Sequence, residues 1–125
     1  MERIRFGLIG CGRISKKHIA VLTELSAQAE IVAVCDLDQT RAQSVADQLN
    51  VPAYTDYLEM IEKENLDVVD ILTWSGNHAQ LALNCVGKVK NIIVEKPMAL
   101  RLDDADQLIE ACDRTQTRLF VVSSL

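Results

Sequence analysis

Six short apolar runs, rich in β-branched residues, alternate with longer segments of helical periodicity, and this order constrains the fold more than any single motif. The strand-like runs fall at residues 4–9, 31–35, 52–54, 68–72, 92–94 and 119–122. Between them, apolar residues recur at helical spacing. Ile14, Ile19, Leu22 and Leu25 mark a helix over 13–25, and Val45, Ala46 and Leu49 mark a second that Asp38 caps. A third runs to about Glu64 behind Thr55 or Asp56. A fourth over 77–86 stops at Gly87, and a fifth starting at Asp103 or Asp104 carries Leu108, Ile109 and Cys112. The segment Ile31-Val32-Ala33-Val34-Cys35 is apolar throughout, as expected of a strand covered by helices on both faces. Strands alternating with helices predict a parallel sheet joined by right-handed crossovers. The expectation is one α/β domain over residues 1–122, a doubly wound and mostly parallel six-stranded sheet, with a short tail at 123–125.

In such a sheet a ligand lies beyond the carboxyl ends of the strands, where strand order reverses, so the residues after each strand are the ones to inspect. The first strand runs into Gly7-Leu8-Ile9-Gly10-Cys11-Gly12-Arg13-Ile14-Ser15, with Ser15 in place of the third glycine of a GxGxxG loop. Gly10 permits a tight turn, and Gly12 lets a pyrophosphate approach the backbone. The N–H groups of Arg13 and Ile14 then open a helix whose N-terminus favours an anion. A tight βα turn without a ligand would use the same residues. Asp36 ends the second strand about two dozen residues later, near the interval of a dinucleotide fingerprint. Its carboxylate can accept from ribose hydroxyls and repels a 2′-phosphate. The next residue, Leu37, is not basic, which favours NAD over NADP.

Thr73, Trp74, Asn77 and His78 follow the fourth strand, and Glu95-Lys96-Pro97 follows the fifth. Thr73 and Asn77 offer polar contacts beside the Trp74 ring; alternatively Asn77 caps a helix and His78 faces solvent. Glu95 and Lys96 form either an ion pair on the rim or a site with a catalytic lysine. Pro97 fixes the backbone beside them.

Together these motifs resemble the glucose-fructose oxidoreductase and inositol 2-dehydrogenase family, over nearly the whole chain to about Val122. Residues 94–106 and 109–113 look most like bacterial UDP-N-acetylglucosaminuronate 3-dehydrogenases. The resemblance implies a Rossmann domain followed by an α/β substrate domain that would lie beyond Leu125. It implies that Gly10 to Ile14 hold the pyrophosphate of NAD and Asp36 the adenosine ribose. Thr73, Trp74, Asn77 and His78 would line the dinucleotide, with Glu95 and Lys96 flanking the nicotinamide ribose. Lys96 matches a lysine that assists proton transfer from a sugar or nucleotide-sugar hydroxyl. Trp74 departs from the family pattern, in which a proline or small polar residue is commoner. The histidine that shares the proton work would belong to the second domain, leaving His18 as a surface residue and turnover by this chain poor or nil.

Composition narrows the alternatives. A formal charge of −5 gives no footprint for nucleic acid, and no apolar run approaches a bilayer span, so a cytoplasmic protein is expected. The four cysteines lack metal-like spacing, so no metal is expected, and only Cys11 lies in a loop near a ligand. Two other readings stay open. One is a stand-alone nucleotide-binding module that self-associates through an uncovered sheet face, a homo-oligomer without chemistry. The other is a methyltransferase-like fold, which shares the glycine loop and acid but leaves Glu95-Lys96-Pro97 without a role.

Overall fold

A computed structural model of the protein describes residues 2–123. Six strands, β1 (Ile4–Ile9), β2 (Ala29–Cys35), β3 (Ala53–Tyr54), β4 (Val68–Ile71), β5 (Asn91–Glu95) and β6 (Arg118–Val122), form one sheet in the order β3-β2-β1-β4-β5-β6. Every pairing is parallel. The chain moves outward from β1 to β3, returns to the middle at β4 and moves outward the other way. The reversal therefore lies between β1 and β4.

Five helices make the crossovers: α1 (Ser15–Glu24), α2 (Gln39–Leu49), α3 (Tyr57–Lys63), α4 (His78–Cys85) and α5 (Leu102–Thr115). Strand alternation divides the core between the two sheet faces. Leu8, Val34 and Leu72 pack with Ile14, Ile19, Leu22, Val45, Ala46 and Leu49 from α1, its entry turn and α2. On the opposite face Ile9, Ala33, Val69, Ile71, Ile92 and Val94 meet Met60, Leu81, Ala82, Cys85, Leu108 and Cys112 from α3, α4 and α5. Leu8, Met60, Ile71, Ile92 and Leu108 are fully buried, each stabilising the fold by roughly 1.5–3 kcal/mol relative to exposure.

Helix starts follow local hydrogen bonding. Asp38 accepts from the N–H of Arg41, and Asp56, rather than Thr55, accepts from those of Leu58 and Glu59. The fifth helix departs from the sequence expectation. It begins at Leu102 behind Arg101, whose side chain makes no capping bond, while Asp103 and Asp104 sit inside the first turn, where the helix dipole favours acids. Ile109 is exposed, because the buried phase of α5 runs through Leu108, Ala111 and Cys112. The first helix starts at Ser15, two residues later than the periodicity indicates, because Gly12 to Ile14 form a turn. Likewise a single 3-10 turn, Ser75–Asn77, precedes α4. Among the described residues, no helix is long and apolar enough to cross a membrane.

One part of the sheet stays open. Asp70, Ile93 and Phe120 stand in register across β4, β5 and β6. Phe120 is 48% exposed, and an open groove there is lined by Phe6, Val68, Ile93 and Phe120 among others.

The junction of β1 with its helix depends on Gly10. Its φ is +110°, and a Cβ there would lie 2.8 Å from the carbonyl carbon and oxygen of Leu72. Gly10→Ala is expected to destabilise the chain by at least about 1–3 kcal/mol from backbone strain, read as a lower denaturant midpoint.

Candidate cofactor site

The carboxyl ends of β1, β2 and β4 enclose a crevice of about 580 Å³. It is lined by Gly10, Gly12, Arg13 and Ile14 from the first loop, Asp36, Leu37 and Arg41 from the second, and Thr73, Trp74 and Asn77 after β4. The sheet thus brings together eight residues singled out in the sequence: Gly10, Gly12, Arg13, Ile14, Asp36, Thr73, Trp74 and Asn77.

The loop is built to present backbone. The N–H of Gly10 donates to the carbonyl of Cys35 at 2.7 Å, tying the end of β1 to β2. A Cβ on Gly12 would meet only Nη1 of Arg41, at 3.8 Å, so this position opens into the crevice. Ser15 is buried, and its hydroxyl donates to the carbonyl of Gly12 at 2.6 Å. The serine in the third glycine position therefore fastens the turn as well as packing closely. Arg13 and Ile14, in the turn that leads into α1, line this mouth just ahead of the helix N-terminus.

Asp36 faces the loop from β2. Its Oδ2 accepts from the N–H of Cys11 and its Oδ1 from the N–H of Asp38, each at 2.8 Å. An ionised carboxylate has about four acceptor directions, so two bonds fix its orientation and leave capacity for hydroxyl donors. Asp38 performs the helix capping, which frees Asp36 from that task. Arg41, which drew no attention in the sequence, lies with Nη1 3.9 Å from Asp36 Oδ2. Its position one turn into α2 was a readable signal, since that turn follows directly from Asp36.

Cys11 does not meet the crevice. Its side chain is buried with Sγ 3.5 Å from the carbonyl of Cys35, and burial, then the charge of Asp36, pushes the thiol up to about 11. Cys35 does line the crevice, but burial pushes it up to about 12. Neither is a thiolate at neutral pH, so neither is an activated nucleophile. All four cysteines are free and buried, and the described residues contain no cluster suited to a metal ion.

After β4, Trp74 is 72% exposed beside the crevice. The Thr73 hydroxyl donates to Oδ1 of Asn77 at 2.5 Å, so Asn77 sits at the helix start without a side-chain capping bond. His78 is neither in the crevice nor facing solvent. The ring is buried, with Nε2 2.6 Å from the carbonyl of Thr73 and Nδ1 3.1 Å from that of Pro97. It clamps the β4 and β5 loops together.

Glu95 and Lys96 also lie outside the crevice lining and point different ways. Lys96 is exposed and its N–H donates to the carbonyl of Val122 at 2.7 Å, whereas Glu95 is buried. His18 is not the surface residue the sequence suggested. Its Nδ1 lies 2.6 Å from Oδ2 of the buried Asp70, and its Nε2 lies 3.7 Å from Oε1 of Glu95. The hydrogen bond to Asp70 raises His18 above its ordinary value despite burial, while desolvation raises the Asp70 carboxyl.

The donor set fits a dinucleotide. Helix amides and the uncrowded Gly12 suit a diphosphate, and Asp36 suits a ribose.

Comparison with known proteins agrees. The family model described as "Oxidoreductase family, NAD-binding Rossmann fold" (GFO_IDH_MocA) matches residues 4–123. Inositol 2-dehydrogenase 3 of Saccharopolyspora erythraea is 34% identical over 95% of this chain and 35% of its own length. D-apiose dehydrogenase of Paraburkholderia graminis is 34% identical over 97% of the chain and 32% of its own. Among solved structures, the WlbA dehydrogenase of Bordetella pertussis, in complex with NADH and UDP-GlcNAcA, superposes with a TM-score of 0.93. It is 36% identical, across 97% of this chain and 37% of that one. The chain thus spans about a third of the length of the relatives it matches. With the glycine loop, Asp36 and the strand order all in agreement, the chain belongs to this oxidoreductase family and corresponds to its NAD-binding Rossmann fold.

Proposed function

We propose that residues 1–122 form the cofactor domain of a cytoplasmic, homo-oligomeric dehydrogenase that oxidises a sugar hydroxyl, with a UDP-N-acetylhexosaminuronate oxidised at C3 as the substrate. One observation carries the cofactor half: the open backbone at Gly12 stands opposite an Asp36 carboxylate that two amides hold in place. In this reading the diphosphate rests on the amides of Arg13 and Ile14, and the adenosine ribose hydroxyls donate to Asp36. Thr73, Trp74 and Asn77 border the remainder. When bound, the nicotinamide supplies the hydride acceptor. Glu95 and Lys96, at the end of β5, would flank its ribose, and the exposed Lys96 side chain would assist removal of the hydroxyl proton. The substrate assignment rests on the likeness to the WlbA dehydrogenases of Bordetella pertussis and Chromobacterium violaceum, 36% and 32% identical, both in complex with NADH and UDP-GlcNAcA.

A second reading has its own support. The uncovered face at Ile93 and Phe120 suits self-association, in keeping with a stand-alone nucleotide-binding module. A sedimentation profile that stays monomeric at high concentration counts against association. Robust oxidation of UDP-N-acetylglucosaminuronate by residues 1–125 overturns the expectation that this chain turns over poorly.

Calorimetry tests the cofactor assignment. NAD is expected to bind more tightly than NADP, and Asp36→Ala to weaken NAD by about tenfold or more, ~1.4 kcal/mol. Undiminished affinity removes Asp36 from the site. Gly12→Ala separates binding from folding. Its Cβ has room, so stability should stay within about 0.5 kcal/mol while NAD affinity falls. Unchanged affinity in that variant moves the diphosphate elsewhere.

A further inference from the structure

His18 lies on α1, within the first turns beyond the loop assigned to the diphosphate. Its ring sits between carboxylates that the sheet brings from two strands, Asp70 on β4 at 2.6 Å and Glu95 on β5 at 3.7 Å. The Asp70 side chain is 2% exposed and that of Glu95 10%. The remaining oxygens, Asp70 Oδ1 and Glu95 Oε2, are buried and have no hydrogen-bond partner among the described residues. Buried carboxylate oxygens without donors are costly. Two acids here face one imidazole, and a proton kept within the group relieves that cost.

Among the described residues, these three groups bear chiefly on one another. Asp70 and Glu95 are the titratable groups that bear on His18, and His18 and Glu95 those that bear on Asp70. Beside Asp70, β1 contributes Leu8 and β5 contributes Ile93, with Phe120 of β6 beyond it, none of them titratable. Arg13 and Lys16, on the entry turn and the same helix, are exposed.

The place of the cluster in the fold matters for chemistry. With the adenosine ribose at Asp36 on β2, a dinucleotide crossing the glycine loop carries its nicotinamide toward the ends of β4 and β5. Glu95 is the last residue of β5. The oxidised nicotinamide ring carries a positive charge and the reduced ring none. A positive charge arriving there favours ionised carboxylates and displaces a proton from the group.

We propose that His18, Asp70 and Glu95 form a proton-holding brace whose occupancy follows the charge of the nicotinamide, with oxidised dinucleotide expelling a proton and reduced dinucleotide letting it return. The proposal rests on the cofactor reading above. His18 is a positioning residue, fastening the diphosphate helix to β4 and acting on the cofactor end through Glu95. In alcohol oxidation the hydride carries its electron pair from carbon to nicotinamide, and the hydroxyl proton leaves separately. As the ring loses its positive charge, the brace regains the capacity to take up one proton.

The test is calorimetric titration of the 125-residue chain with NAD⁺ and with NADH, in buffers of differing ionisation enthalpy, to count protons exchanged. NAD⁺ should release more protons than NADH, by roughly half a proton per site or more near neutral pH. The two counts should converge in His18→Gln. In the wild-type chain, the His18 ring followed by NMR should titrate above its ordinary value of 6.5, falling on addition of NAD⁺ but not of NADH. Equal proton counts, a difference that survives His18→Gln, or a ring indifferent to NAD⁺ overturns the proposal while the cofactor reading stands. Failure of both nucleotides to bind overturns that reading and the proposal with it. Stability adds a readout independent of nucleotide. His18 and Asp70 are both raised on folding, so the folded chain holds more protons than the unfolded one. Their contribution to stability should therefore fall as pH rises, from 3.8 upward through Asp70 and from 6.5 upward through His18, read as the difference between the wild type and Asp70→Asn. An unchanged slope in Asp70→Asn is incompatible with the brace.

Discussion

At the end of β1 the backbone of Gly10 passes so close to that of Leu72 that a Cβ would lie within 2.8 Å of its carbonyl. The rest of the carboxyl edge depends on that approach. Parallel pairing of β1 with β4 makes the reversal point of the sheet, and a side chain at Gly10 would wedge the two strand ends apart. With the strands closed, the glycine loop turns directly into α1, and Arg13 and Ile14 line the opening.

The edge is held by a few polar links, each joining two elements. Asp36 binds the first loop to the start of α2 through two amides. Ser15 fastens the turn to its own helix, and His78 ties the loop after β4 to the one after β5. Such links keep loops over a rigid sheet in one arrangement, which a site for an extended cofactor requires. Cys11 and Cys35 stay neutral thiols at this edge, because burial raises both.

Family membership and coverage bear on the same edge. The chain matches relatives along about a third of their length, and its open face at Phe120 and Ile93 lies on the β5–β6 side, away from Asp36 at the end of β2. The NAD-binding fold is therefore formed by elements this chain contains.

The sequence by itself determined the strand–helix order, the glycine loop and Asp36 at the end of the second strand, because these rest on local periodicity and spacing, whereas the capping of α2 by Asp38 instead of Asp36 was settled by the structure. Asn77 and Thr73 were readable as polar residues at a strand end, though their mutual bond was not. What only the tertiary structure decided were contacts between residues far apart in sequence. His18 looks like a surface residue on α1 until β4 and β5 bring Asp70 and Glu95 beneath it. His78 looks like a loop ligand until two carbonyls from separate loops enclose its ring. Glu95 and Lys96 read as one charged pair, yet successive residues at a strand end point to opposite sides, and packing buried the first and exposed the second. Side-chain spacing along a chain fixes which face a residue takes, but what waits on that face is set by how distant strands are ordered.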